Sequence, residues 1–276
     1  MMRKTLMIVA SVTMAVVVAC SKEPVGAGKE ATAMPSIHTD QRVYLSTLRE
    51  NAVSTYHARV NACRDAGIPV QELSVEEADM LGTTRFQRWI EHDRAAYRWE
   101  EFYFGAGPAG PGIRCNFYLT SLGTHFYFDS SGVERIDLET NRFFEGTLDS
   151  NLRHLLDRKP LPEQVDPLSL GVMDTVQGQQ CVRHSVKRLI GTGTACTWAD
   201  GQQWMFSVRG DGGFSSSSSS AGGRLNSIVL EQTPDPSGHA SIEHVETLRF
   251  DIGTLLDPNA MKPRPASAWP AHTPRS

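Results

Sequence analysis

Between residues 40 and 63, Tyr44, Leu48, Ala52, Tyr56, Val60 and Cys63 recur every three or four positions and form one apolar stripe. Asp40 reads as an N-cap ahead of that stripe, while Gly67 and Pro69 stop it, so the pattern predicts a helix over 40–66. Ser74-Val75-Glu76-Glu77 matches a capping box and predicts a short second helix. From Thr84 the period falls to two. Strands are predicted over 85–91, 97–104, 113–121, 125–129 and 133–138, with turns at Leu122-Gly123 and Ser130-Ser131-Gly132, giving an antiparallel meander over 84–145. In the most regular of these strands Cys115, Phe117 and Leu119 share one face, while Arg114, Asn116 and Thr120 take the other. Leu152, Leu155 and Leu156 then recur at helical spacing before Pro160 and predict a connecting helix over 149–158. A second meander is expected over 172–252, with its strongest turn signal at Asp200-Gly201, between Thr197-Trp198 and Gln203-Trp204-Met205-Phe206.

The element order implies an α+β fold, mainly β. One large curved antiparallel sheet, an incomplete barrel, would carry an N-terminal amphipathic helix and a short connecting helix in a single domain over 40–256. Residues 20–39 are small, polar and broken by Pro24 and Pro35, which suits a flexible tether. Residues 210–223, with their serine run, read as a low-complexity loop, and the proline-rich 257–276 as a disordered tail.

Ahead of the tether, Arg3 and Lys4 precede an apolar run from Leu6 to Ala19, the pattern of a bacterial secretory signal peptide over 1–19. Val17-Val18-Ala19-Cys20 resembles the lipobox of bacterial lipoproteins. That resemblance implies lipidation of Cys20 and a membrane partner reached through the lipid anchor. Without Arg3 and Lys4 the formal charge moves from −4 to −6, and no basic block occurs, so no nucleic-acid partner is expected. Cys63, Cys115, Cys181 and Cys196 remain. An even count in an exported chain implies disulfides. Three pairings are possible, and Cys63–Cys115 with Cys181–Cys196, one bridge in each half, is favoured.

No spacing matches a metal site, and no cofactor is expected. Gly105-Ala106-Gly107-Pro108-Ala109-Gly110 fits the letters of a dinucleotide fingerprint, but its prolines and the strand that follows fit a hairpin loop. His239 and His244 lack the helical i, i+4 spacing of a zinc protease and read as exposed. No serine elbow occurs, and Glu100-Glu101 fall on opposite faces of a strand, so the chain reads as non-enzymatic. The aromatics are the remaining signal. Phe102 and Phe104 lie on one face of their strand, and Trp99 and Tyr103 on the other. A sheet that is apolar on both faces needs two covers. The N-terminal helix supplies one; a second layer, a partner or a ligand must supply the other. Trp99, Tyr103, Tyr118 and Tyr127 are thus the candidate ligand-contacting residues, with dense core packing as the competing account.

A helix followed by a nearly continuous meander on a lipid-anchored chain is similar in outline to the lipoprotein carrier and receptor fold of the Lol pathway. The stretch Asp174-Thr175-Val176-Gln177-Gly178-Gln179-Gln180-Cys181, then Cys196-Thr197-Trp198, and the late strand ending at Asp257-Pro258 carry the likeness over about 40–256. It implies a cavity for acyl chains. Ser21 is not the aspartate linked to inner-membrane retention, which implies an outer-membrane address facing the periplasm. Three functions follow: an envelope lipoprotein binding an apolar ligand or an envelope protein, a structural lipoprotein with a filled core, and a hydrolase whose site is assembled from distant residues. A continuous apolar pocket favours the first.

Overall fold

The computed structural model describes residues 34–107, 114–158, 171–189, 191–207 and 225–263. The signal peptide, Cys20, most of the tether, the serine loop and residues 264–276 lie outside the described residues. The expected fold class holds: the described residues are mainly β and build one large sheet of 12 strands that does not close into a barrel.

Strand β1 (Ile37–Tyr44) corrects the expectation that a helix begins at Asp40 and that the tether reaches residue 39. Its core-facing positions are Ile37, Thr39, Gln41 and Val43, all buried. The two polar ones meet a buried arginine, Arg88, whose Nε donates to Thr39 Oγ1 at 2.9 Å and whose Nη2 donates to Gln41 Oε1 at 2.7 Å. On the opposite face Asp40 accepts from Arg85 Nε at 3.0 Å and from Gln87 Nε2 at 3.2 Å. Apolar alternation is therefore absent although the strand is central. Met34, just before it, is also buried. Helix α1 (Ser46–Asp65) follows, then β2 (Val70–Gln71) and α2 (Val75–Met80), whose Ser74–Glu77 capping box forms in both directions.

Strands β3 (Thr84–Ile90), β4 (Arg94–Gly107), β5 (Cys115–Asp129), β6 (Gly132–Asp137) and β7 (Phe143–Gly146) make the first meander. The turn expected at Leu122-Gly123 is absent, because β5 runs straight through it. Gly123 faces Glu100, and a Cβ there would lie 2.1 Å from the Trp99 carbonyl oxygen. The glycine serves close approach of two strands, not a turn. Helix α3 (Ser150–Leu156) is capped by Asp149, whose Oδ1 accepts from the Leu152 amide at 2.8 Å. Strands β8 (Val172–Val176), β9 (Gln179–Arg188), β10 (Gly191–Trp198), β11 (Val229–Pro234) and β12 (His244–Ile252) form the second meander. Asp200-Gly201 makes no hairpin; it opens a 3-10 turn over Asp200–Trp204. A Cβ on Gly201 would lie 2.8 Å from the Trp198 ring, so the turn wraps a buried indole. Helix α4 (Pro258–Met261) buries Met261, so the start of the expected tail packs on the sheet.

Strand order is β7-β6-β5-β4-β3-β1-β12-β11-β10-β9-β8, with β2 added in parallel beside β5. The two meanders thus meet at β1, which pairs β3 on one side and β12 on the other. The second half curls strongly. Four strand spacings would separate β8 from β12 by about 19 Å in a flat sheet, yet Gln177 in the β8–β9 turn donates to the Thr247 carbonyl of β12 at 3.1 Å.

The main core joins Val43, Phe86, Tyr97 and Phe128 to Trp198 and to Leu152 and Leu155 of α3. On the other face of the first meander, α1 covers Phe102, Phe117 and Leu119 with Tyr56 and Val60. Further along that face, Leu256 and Met261 cover Trp89, Ala96 and Tyr127. The second cover that the two-faced strands require therefore comes from the chain itself.

Candidate functional site

Where β1 hands over to α1, the sheet rim holds a pocket of about 310 Å³. Its apolar lining comes from Val43 and Tyr44 of β1, Leu48 and Ala52 of α1, Phe86 of β3, and Trp99 and Phe102 of β4. The volume sits at the lower end of the range for small-molecule sites, on the order of ten water volumes. The pocket arises because α1 bears down on the outer face through Tyr56 and Val60, deeper in the helix, and leaves Leu48 59% exposed. One residue of the apolar stripe thus has no core partner and lines the cavity instead.

Thr83, Thr84, Glu101, Tyr103 and Glu243 supply the polar part. The Tyr103 hydroxyl donates to Glu101 Oε2, and burial together with that carboxylate pushes the Tyr103 phenol up. Glu243 Oε2 is buried with no hydrogen-bond partner among the described residues. No lysine, arginine or histidine is among the described residues lining the pocket. The nearby Arg42 and Arg49 are both committed to Asp79, at 2.9 and 2.5 Å.

Of the four aromatic candidates, Trp99 and Tyr103 line this pocket, while Tyr118 and Tyr127 do not. Tyr118 shares their face of the sheet but lies across Gly105 on the paired strand, where a Cβ would fall 2.5 Å from its ring. Tyr127 is buried on the opposite face, and its hydroxyl donates to Asp129 Oδ2 at 2.7 Å. Val43, Leu48, Ala52 and Glu243 were not among the ligand candidates. Leu48 and Ala52 were legible as part of the stripe, whereas nothing local marks Glu243, whose place depends on β12 pairing with β1.

Both expected disulfides are present, Cys63–Cys115 with a Cα separation of 6.4 Å and Cys181–Cys196 with 5.3 Å. The first ties α1 to β5 across the helix-covered core; the second joins β9 to β10.

Two histidine groupings lie outside the pocket. His239 and His244, expected to be exposed, are half-buried and flank Ser46 Oγ at 3.1 and 2.9 Å. Burial, then the charges of His239 and Arg49, lower the His244 pKa. A serine beside an imidazole is the beginning of a nucleophile–base pair. Among the described residues no carboxylate hydrogen-bonds either ring, and Ser46 does not line the pocket. The contact fastens the start of α1 to the connection between β11 and β12. On the outer face, His38 and His125 stack on either side of Trp89, at 5.2 and 5.7 Å between ring centroids. Burial and then the Arg98 charge depress His125 to about 4; burial also lowers His38. Arg88, fully buried, is pushed down to about 9 and stays protonated at neutral pH. Among the described residues no three His, Cys, Asp or Glu side chains gather as a metal-binding group.

No protein-family model matches the chain, and no curated protein matches it.

Proposed function

We propose that this chain is a non-enzymatic envelope lipoprotein that binds an apolar ligand in the pocket at the β1–α1 junction. The observation that carries the reading is the pocket itself, lined by Val43, Leu48, Phe86 and Trp99, whose apolar atoms a ligand would remove from water at about 25 cal/mol per Å². The export signal and Cys20 in its lipobox-like setting support a lipid-anchored, outer-membrane address facing the periplasm. Two disulfides agree with an oxidising compartment. The curved open sheet is compatible with the outline likeness to the Lol carriers, but the pocket lies at the rim beside α1, not across the whole sheet face.

Titrating N-phenyl-1-naphthylamine, a neutral apolar fluorophore, into the soluble chain beginning at Ala33 tests the pocket. Saturable uptake that Leu48→Trp removes supports the proposal. The absence of uptake leaves the structural lipoprotein reading in its place. Metabolic labelling with a palmitate analogue tests the anchor: Cys20→Ser should abolish incorporation, and equal labelling of variant and parent would sink the lipobox assignment.

A further inference from the structure

The acidic groups of the pocket point to the kind of ligand it takes. An acyl carboxylate would be an awkward guest, since Glu101 and Glu243 carry the only formal charges among the described lining residues. Glu243 lines the pocket, and its Oε2 is tucked away from water with no hydrogen-bond partner, a costly state that a turn of the side chain toward a donor or a cation in the pocket relieves. Beside it the aromatic side chains of Trp99, Tyr44 and Phe86 wall the pocket. Resident guanidiniums already face two of the aromatic rings, Arg49 over Tyr44 at 4.8 Å and Arg88 over Phe86 at 5.1 Å, but Asp79 holds Arg42 and Arg49, and no arginine is among the described residues lining the pocket. An apolar body, aromatic faces and two carboxylates together match one class of molecule.

Resting on the apolar-pocket reading above, we propose that the pocket selects a cationic amphiphile, an alkyl or aryl chain ending in an ammonium group. The chain fills the space between Leu48, Ala52 and Phe86. The ammonium donates to the Glu101 carboxylate and to Glu243 once that side chain turns toward the pocket. Tyr103 holds one oxygen of Glu101 through its hydroxyl, which fixes that carboxylate at the pocket without neutralising it. The selectivity is electrostatic, so it weakens with salt to the extent that the mouth is open to water.

Photolabelling the full chain in phosphatidylcholine vesicles tests this. Three ten-carbon probes share one alkyl diazirine and differ only in the head: ammonium, hydroxyl or carboxylate. Labelling of the peptides that contain residues 43–52 and 99–103 is measured relative to the rest of the same chain, which cancels differences in partition into the lipid. We expect the ammonium probe to mark these peptides at least about tenfold more than the carboxylate probe, with the hydroxyl probe between. Equal labelling by all three, or a preference for the carboxylate, overturns the cation selectivity and leaves the apolar pocket standing. No pocket labelling by any probe overturns both. Glu101→Gln combined with Glu243→Gln should bring the ammonium probe down to the level of the hydroxyl probe; a preference that survives in a folded double variant overturns the role of these carboxylates. Leu48→Lys, at an exposed position that folding tolerates, places a resident cation at the mouth and should lower ammonium labelling in the same way. Undiminished labelling there also counts against the proposal.

Discussion

In the first meander, β4 and β5 run for 14 and 15 residues side by side, and each carries apolar side chains on both faces. In the second, β8, β9 and β10 run for 5, 10 and 8 residues and curl over, with Asp174 of β8, Arg183 of β9 and Glu231 of β11 linked in a partly exposed charge ladder. The long hairpin needs separate covers, and it receives α1 at one end and the segment around Leu256 and Met261 at the other. The curled half is covered by α3 through Leu152 and Leu155, and by a 3-10 turn and its own connections folded back on Trp198 and Phe206. A cover that is a separate rigid helix meets the sheet along a line and leaves a gap where it departs. A cover that is a loop moulds to what lies beneath it. The pocket lined by Leu48 and Trp99 lies at such a gap, where α1 leaves the sheet.

The largest effect that would test this comparison is at Phe117. It sits in the helix-covered core, with Tyr56 edge-on at 5.6 Å and Phe104 at 6.0 Å. Phe117→Ala should cost about 3–5 kcal/mol, read from the denaturant midpoint. A loss below about 1 kcal/mol would mean that α1 is not a structural cover.

The two bridges sharpen the contrast. Cys63–Cys115 closes a sequence separation of 52 and Cys181–Cys196 one of 15. Chain entropy gives about 4 kcal/mol for the first and about 3 for the second. Cys63→Ser with Cys115→Ser should also loosen α1, which hydrogen exchange of its amides would report. Cys181→Ser with Cys196→Ser removes a link between strands that remain paired. Equal losses with no change in α1 exchange would break the distinction.

Acid should act on the outer face of the first half. An unfolded histidine takes up its proton near pH 6.5, whereas His125 in the folded chain does so near 4. Above pH 6.5 both states are neutral and nothing is lost. As pH falls from about 6.5 to about 4 the unfolded state gains a proton that the folded state refuses, and stability drops by up to about 3 kcal/mol. His38 is lowered too and adds in the same direction, opposed by its contact with Asp251. Denaturant midpoints between pH 7 and 4.5 measure this, and His125→Gln should flatten the slope. A level profile in the parent would show that His125 is not held neutral.

The smallest effect is expected at Tyr118. Its ring covers Gly105 on a partly exposed surface away from the pocket, so Tyr118→Ala should cost about 1 kcal/mol or less and leave uptake of the apolar fluorophore unchanged. Tyr103→Ala, in the pocket lining, should alter uptake. Reversal of the two outcomes would move the site from the rim to the hairpin surface.

The strands with apolar alternation, the capping box at Ser74 and the leucine-spaced helix before Pro160 were legible because each is a local pattern with a local cause. Strand β1 was not. Its inward positions Thr39 and Gln41 are polar and satisfied by Arg88, 49 and 47 residues away, so its alternation exists only in the folded chain. The tyrosines behaved likewise. Sequence grouped Trp99, Tyr103, Tyr118 and Tyr127 as ligand candidates, yet only the first two line the pocket, because Tyr118 lies across Gly105 and Tyr127 faces the other side of the sheet.

By itself the sequence determined the mainly β class and most strands and helices, and it favoured, among three possible pairings, the one that puts one bridge in each half. These rest on periodicity and spacing, which act over a few residues or follow from the order of elements. Only the tertiary structure decided that β1 joins the meanders, that the chain covers its own second face, and that Glu243 meets Glu101, Trp99 and Tyr103 around one pocket. Those facts depend on side chains from strands far apart in sequence sharing one desolvated space, and a buried polar group reveals its role only when its distant partner, or the lack of one, is in place.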